Sequence, residues 1–435
     1  MKKSKIGLSM LLATSLIAMS GCSLFDDSDL SYTNEYNVPT TLPTTTQTGE
    51  NAGGVYATEN ENTPNSLCFK SIPYGTNDKI KNNYATGEEF ENEFNVNDNE
   101  DYPASKSNNN YDLYIPKGIN KNDKHVVMLF IHGGAWIGGF KTDVNPYVYQ
   151  FANEGYITAT IKYTLLKKSM DDPSLSLFRD LDEIDACIAS IKKVLGEQGF
   201  DTTKTKLVIG GASSGAHLTM LYSYSRGHKC PLPIEFLINA VGPTDIKAPI
   251  WKYYQRTAGD EAQYEAFMNE ELSAESIADA ESAGKLKPLK VADDDSGEAY
   301  YWNNYQTMRI ANGMCGLPHT TAEIAESSSD KESIDQPNEA SNLMTKADGG
   351  QDQISVTYWI NKGVNKFPMI CAYGGRDGVV GIKQYSNLKT ALEANSVTPE
   401  YYFFRNSDHN DINEEVGGET YNDFINAIKA KAAAI

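Results

Sequence analysis

Lys206-Leu207-Val208-Ile209-Gly210-Gly211-Ala212-Ser213-Ser214-Gly215-Ala216-His217-Leu218 decides how the 435-residue chain is read. Its first residues are a short apolar run with β-branched members, which predicts a buried strand. Gly211-Ala212-Ser213-Ser214-Gly215 then turns the chain, and Ala216 to Tyr222 suits a helix. Strand, tight turn and helix is the setting of a G-x-S-x-G elbow. The turn forces its central residue, Ser213, into a strained backbone, and the flanking glycines give it room to bend. Ser213 is then exposed at the carboxyl edge of a sheet, and the free amides of the next helix point at whatever it attacks.

Working outward, the same alternation recurs. Tyr111-Asp112-Leu113-Tyr114-Ile115-Pro116 alternates apolar and polar residues, as on a half-buried strand that Pro116 ends. His125 to Ile131 is a continuous apolar run suited to a central strand, and it runs into His132-Gly133-Gly134-Ala135-Trp136. A short helix is predicted around Tyr147 to Asn153 and a strand over Ile157 to Tyr163. Leu177, Leu181, Ile184, Ile188, Ile191 and Leu195 recur at helical spacing, with Gly196 or Gly199 as the stop. After the elbow, Ile234 to Val241 predicts the next strand. Strands alternating with helices indicate a doubly wound, mostly parallel sheet of the α/β class.

The pattern breaks over residues 246–365, a long, irregular and locally acidic stretch that holds an aromatic group, Tyr300-Tyr301-Trp302-Asn303-Asn304-Tyr305. It reads as an insertion. Packing in a core is the simpler role for the aromatic group, and stacking on a sugar or an aromatic acid the functional one. The alternation then resumes with a strand at Phe367 to Tyr373, a helix at Ile382 to Asn395, a strand at Tyr401 to Phe404 and a last helix from Tyr421 onward.

A serine hydroxyl needs a base within hydrogen-bond reach and a third group to hold that base's tautomer. The chain has six histidines. His125 precedes a strand, His132 sits in the Gly-rich turn, His228 and His319 lie in turn-rich segments, and His217 is too close to Ser213 in sequence to swing back onto it. His409 directly follows the last strand, at the same sheet edge as Ser213, and is the expected base. Asp377, at the end of the preceding strand in Gly374-Gly375-Arg376-Asp377-Gly378, is the expected acid; Asp408 and Asp411 lie on the histidine's own loop and are less well placed. Gly133 and Gly134, with the N–H of Ser214, are the expected oxyanion donors, since glycine lets the backbone approach developing charge.

The order HGGAW, GASSGAHL, GRD and His409 resembles the α/β-hydrolase superfamily, and more closely its esterases related to hormone-sensitive lipase and to bacterial feruloyl and acetyl xylan esterases. The likeness covers about residues 110–245 and 365–435, and includes Gly199-Phe200-Asp201. It implies an α/β-hydrolase fold with a long insertion before the acid-bearing strand, and a Ser213–His409–Asp377 triad. It also implies an oxyanion hole from Gly133, Gly134 and Ser214, and neither metal nor organic cofactor. Ala212 departs from an acidic residue found in many members, and Asn410 and Asp411 from a Gly and an aromatic; the 246–365 insertion is longer than usual, and the resemblance implies a cap or lid there. The implied activity is hydrolysis of a carboxylic ester, with an acetylated or feruloylated carbohydrate as substrate. A general short-chain carboxylesterase or lipase is the alternative, and a surface binding lipoprotein that keeps the hydrolase fold is the non-enzymatic one. Residues 260–290 hold few large apolar residues, which weakens the lipase reading. No room precedes residue 100 for the propeller of prolyl-peptidase relatives.

A net charge of −20 argues against nucleic acid as a partner and fits a solvated surface. Met1-Lys2-Lys3-Ser4-Lys5, an apolar stretch from Ile6 to Met19 and Met19-Ser20-Gly21-Cys22 resemble a bacterial lipoprotein signal peptide and lipobox. That resemblance implies removal of residues 1–21, a lipid on Cys22, and an extracytoplasmic protein that meets the membrane only through its anchor. Residues 22–100 are rich in Thr, Asn, Asp and Glu and read as a flexible polar linker, and residues 101–435 as the catalytic domain. Of the remaining cysteines, Cys187 and Cys371 fall on predicted core positions, while pairing among Cys68, Cys230 and Cys315 stays open. No C-x-x-C or H-E-x-x-H is present, so no metal site is expected.

Overall fold

In a computed structural model, the described residues are 57–58, 60–74, 110–136, 138–165, 177–246, 254–255, 287–288, 314, 353–374, 377, 379–380, 382–404, 407, 409 and 418–435. Residues 1–21, read above as a signal peptide, and Cys22, most of the 246–365 insertion including Tyr300–Tyr305, Cys315, His319, Asp408, Asn410 and Asp411 lie outside them.

The strands are β1 (Ala57–Thr58), β2 (Ser66–Pro73), β3 (Asn110–Pro116), β4 (His125–Ile131), β5 (Ile157–Lys162), β6 (Thr205–Ala212), β7 (Ile234–Ala240), β10 (Met369–Gly374) and β11 (Glu400–Phe404). They form one nine-stranded sheet in the order β1-β2-β3-β5-β4-β6-β7-β10-β11. β1, β2 and β3 pair antiparallel, β3 meets β5 antiparallel, and every pairing from β5 to β11 is parallel. Two short strands inside the insertion, β8 (Tyr254–Gln255) and β9 (Lys287–Pro288), pair with each other.

Alternating side chains send the central strands' apolar residues to two cores. Val127, Leu129 and Ile131 of β4 face one cluster, and Met128 and Phe130 the other. The first cluster is closed by α2 (Leu177–Glu197), α3 (Ser214–Arg226), α4 (Val356–Lys362) and α5 (Ile382–Ala394), and the second by α1 (Asn145–Asn153) and α6 (Gly418–Ala433). A parallel sheet covered on both faces explains why its strands read as unbroken apolar runs. This is an α/β-hydrolase fold, with the insertion between β7 and β10.

Three expectations change. Residues 57–58 and 60–74 are not linker: β1 and β2 extend the sheet, with Cys68 and Ile72 fully buried. The composition of residues 22–100 hid this, because β2 lies within a polar stretch and its ladder is broken by an irregularity between Phe69 and Ile72. Secondly, β3 is buried on both faces rather than half-buried, since Tyr111, Leu113 and Ile115 pack into the first cluster and Tyr114 into the second. Its polar member, Asp112, bonds Lys141 Nζ at 2.5 Å and accepts the Ser71 N–H at 2.7 Å. Lys141, almost wholly buried, also donates to Ser71 Oγ and Asn110 Oδ1, both at 3.1 Å. Thirdly, α4 breaks the irregular reading of 246–365. Cys187 and Cys371 are buried core thiols, Cys68 is buried on β2, and Cys230 forms no disulfide.

Candidate active site

Parallel strands bring their carboxyl ends to one edge, and the site assembles there. β6 ends at Ala212, and Ser213 follows with φ 53 and ψ −123. A non-glycine residue in that region carries about 1–3 kcal/mol of strain. The Ser213 N–H donates to the carbonyl of Ala240 on β7 (2.8 Å), and the Ser213 carbonyl accepts the His217 N–H (3.0 Å), closing the first turn of α3. Both motif glycines are forced by packing. A Cβ on Gly211 would come within 2.4 Å of the Gly215 carbonyl carbon, and one on Gly215 within 2.1 Å of the Ile131 carbonyl oxygen at the end of β4. The elbow is therefore wedged against the strand that delivers His132-Gly133-Gly134.

Three expected residues meet here. Ser213 Oγ lies 2.9 Å from His409 Nε2, and His409 Nδ1 lies 2.7 Å from Asp377 Oδ2. The second oxygen of Asp377 accepts the N–H groups of Val379 (2.8 Å) and Val380 (2.7 Å). A carboxylate held at both oxygens makes Nδ1 the protonated nitrogen of neutral His409. Nε2 is then left to accept from the serine hydroxyl. The Asp377 side chain is 1% exposed and that of His409 11%, so the chain of bonds runs from a dry end towards solvent.

The Gly133–Gly134 loop lies against the serine. A Cβ on Gly133 would meet Ala212 O at 2.9 Å and Ser213 Cβ at 3.1 Å; Gly134 has φ 118, a conformation that suits glycine. His132 Nδ1 lies 2.7 Å from the Gly133 carbonyl, which can only accept, so Nδ1–H donates. In a trans peptide the N–H points opposite the carbonyl. The bond therefore aims the Gly134 N–H away from His132. The His132 ring stacks on Tyr163 (centroids 4.4 Å apart, planes at 18°), whose hydroxyl donates to the His132 carbonyl at 3.2 Å. Burial lowers the His132 pKa to about 4, which keeps it neutral. Ser214 is the first residue of α3, where backbone N–H groups have no acceptor within the helix.

The other described histidines have structural surroundings. His125 Nε2 lies 2.9 Å from the Asn120 carbonyl, and His228 is on an exposed turn. His217 is fully buried and bonded at both ring nitrogens, to Trp136 and to the Ile354 carbonyl. Sequence reasoning missed the supports of the site: the Val379 and Val380 amides, His132 and Tyr163, and the Trp136–His217 pair. Only the HGGAW and GAHL motifs themselves carried a signal for the last. Among the described residues no group of side chains is arranged to hold a metal ion, and no helix is long and apolar enough to cross a membrane.

Residues 111–297 match a family model described as BD-FAE. That span holds Gly133, Gly134, Ser213 and Ser214 and stops before Asp377 and His409. Among curated proteins the chain is similar to the non-reducing polyketide synthase ausA of Aspergillus calidoustus, at 28% identity over 148 residues. The match takes in 32% of this chain but spans only 6% of that much longer protein. Among solved structures, it is similar to a truncated form of a carbohydrate esterase from gut microbiota, with 12% identity and a TM-score of 0.49 over 86% of this chain and 99% of that one. It is also similar to esterase B from Lactobacillus rhamnosis, with 16% identity and a TM-score of 0.45 over 75% of this chain and 81% of that one.

Proposed function

We propose that the protein is a serine carboxylesterase working through an acyl-enzyme. The observation that carries this reading is the continuous run Asp377–His409–Ser213, with bonds of 2.7 and 2.9 Å, ending on a strained serine at the sheet edge. The match to BD-FAE supports the same class.

Ser213 Oγ attacks the ester carbonyl while His409 Nε2 takes its proton. Asp377 holds Nδ1–H and stabilises the imidazolium that forms; its other oxygen is tied to two amides, so it keeps its orientation as charge develops. The carbonyl oxygen becomes an oxyanion, met by the amides of Gly133, Gly134 and Ser214. These donors are fixed before the reaction, which is what makes them effective. His409 returns the proton to the leaving alcohol. It then activates a water that releases the acid from Ser213.

The substrate is an acetyl or feruloyl ester on a carbohydrate. The resemblance of HGGAW, GASSGAHL and GRD to bacterial feruloyl and acetyl xylan esterases supports this, as does an anchor at Cys22 that would hold the enzyme outside the cytoplasm beside polysaccharide. The test is hydrolysis of p-nitrophenyl acetate, a long-chain p-nitrophenyl ester, methyl ferulate and acetylated xylan by residues 23–435 and by Ser213→Ala. Activity on the first that vanishes in the variant supports the esterase, and release from ferulate or xylan names the substrate class. Activity untouched by Ser213→Ala refutes the nucleophile. Failure of an organophosphonate to label Ser213, with no turnover of any ester, favours a binding protein. Lipid labelling of the whole chain, abolished in Cys22→Ser, tests the anchor.

A further inference from the structure

Ala135 and Trp136 follow the two oxyanion glycines and both have positive φ, 53 and 63. Two successive non-glycine residues in the left-handed region persist only where their surroundings fix them. For Trp136 those surroundings are identifiable. The residue is 4% exposed, and its indole N–H, a donor only, bonds His217 Nδ1 at 3.3 Å with the rings edge to face, 87° apart. His217 Nε2 donates to the Ile354 carbonyl at 2.8 Å. The imidazole thus carries one defined tautomer, accepting at Nδ1 and donating at Nε2. Its own backbone N–H bonds the Ser213 carbonyl at 3.0 Å.

One residue therefore touches both halves of the reaction centre. Through its backbone it belongs to the helix turn that begins at Ser213. Through its ring it holds the tryptophan that ends the HGGAW loop. We infer that His217 is a positioning residue for ester hydrolysis: it references the Gly133–Gly134 amides to Ser213 by clamping Trp136 from the first turn of α3. The inference rests on the esterase reading, because only there do those amides have a charge to meet. His217 need never contact substrate or exchange a proton. Burial supports this passive role by lowering its pKa to about 4, so that Nδ1 stays free to accept.

A clamp that sets donor geometry acts on the transition state more than on the bound substrate, so its loss lowers kcat and leaves KM nearly unchanged. The test compares the full chain with Trp136→Phe, His217→Leu, His217→Asn, the double variant Trp136→Phe/His217→Leu, and Ser213→Ala. Rates of p-nitrophenyl acetate hydrolysis are normalised to sites titrated with an organophosphonate in every protein that keeps Ser213, so that unfolded molecules do not count, and to total protein for Ser213→Ala. Trp136→Phe keeps an aromatic ring but removes the indole donor together with part of the ring system. It and His217→Leu are each expected to lower kcat by about ten- to a hundredfold, the scale of a misplaced reacting group, with KM within about twofold. The double variant is expected to fall no further than the worse single, since both break one contact. His217→Asn, which keeps an acceptor near the Nδ1 position, is expected to recover part of the loss. Unchanged kcat per titrated site in the singles, multiplicative effects in the double, or a change confined to KM would each overturn the clamp while Ser213→Ala still abolishes activity. Wild-type turnover that survives Ser213→Ala would instead bring down the esterase reading, and the clamp with it.

Discussion

His217 offers a prediction about stability that needs no substrate. Its ring is fully buried, and desolvation lowers its pKa from the ordinary 6.5 to about 4, with the bond to Ile354 opposing the shift. The unfolded chain takes up this proton near pH 6.5, and the folded chain only near pH 4. Between those values the unfolded state binds more protons, so stability falls as pH falls. The full loss is about 3 kcal/mol, at 1.36 kcal/mol for each of roughly 2.5 pH units. Between about pH 7 and pH 5 the same relation gives about 2 kcal/mol. The acid limb of the whole protein does not isolate this. His132, buried with a similarly lowered pKa, adds a second loss of the same sign. Asp180, whose carboxyl burial pushes well above the usual range, works the other way.

The difference between two proteins does isolate it. His217→Asn keeps a polar group but cannot titrate, so it lacks one histidine's share of the slope. Reversible urea unfolding, followed by tryptophan fluorescence at about pH 7 and pH 5, gives the stability gap between wild type and variant at each pH. The variant is the less stable at pH 7. The gap should shrink by about 2 kcal/mol at pH 5. A gap constant to within about 0.5 kcal/mol would mean that His217 is not held neutral by burial, and would refute the reasoning.

Three further outcomes follow from named contacts. Lys141→Met removes the cation bonded to buried Asp112 and should cost about 3–5 kcal/mol in urea unfolding, whereas Lys141→Met with Asp112→Leu should recover most of it, because no charge is then left buried. Asp377→Asn replaces the acceptor of His409 Nδ1–H and should lower kcat on p-nitrophenyl acetate by about 10,000-fold with KM little changed. A chain begun at residue 101 loses β1 and β2, bares the edge of β3 and takes Ser71 from Lys141; it should aggregate on expression, while one begun at residue 56 should stay soluble and active.

The central sheet was legible because physics left it one way to read. β4, β6, β7 and β10 are covered on both faces, and continuous apolar runs between helical patterns have few other uses. The edge was not legible. β2, Ser66-Leu67-Cys68-Phe69-Lys70-Ser71-Ile72-Pro73, has a register shift where its alternation should have been clearest, and Ser71 there has φ 55. Asp112 on β3 looked like a solvent-facing residue because its partner Lys141 lies beyond β4, 29 positions away. α4 has only seven residues, too few for a helical period to declare itself.

The same distinction explains the site. Ser213, Asp377 and His409 were placed by one rule: the strands that precede them are parallel, so the residues just beyond their ends share an edge. Which histidine could serve was a matter of what each ring meets. His132 and His217 are fully buried, and their bonds are to a backbone carbonyl, and to a carbonyl and an indole. Neither touches a hydroxyl that could become a nucleophile. His409 alone among the described histidines lies between a carboxylate and a serine hydroxyl. On the proposed mechanism it must also hand a proton to a departing alcohol and take one from water. That demands a ring with an opening to solvent behind which the carboxylate stays dry, so that the bond orienting the imidazole keeps its strength in a low dielectric. Side-chain exposures of 11% for His409 and 1% for Asp377 meet both demands at once.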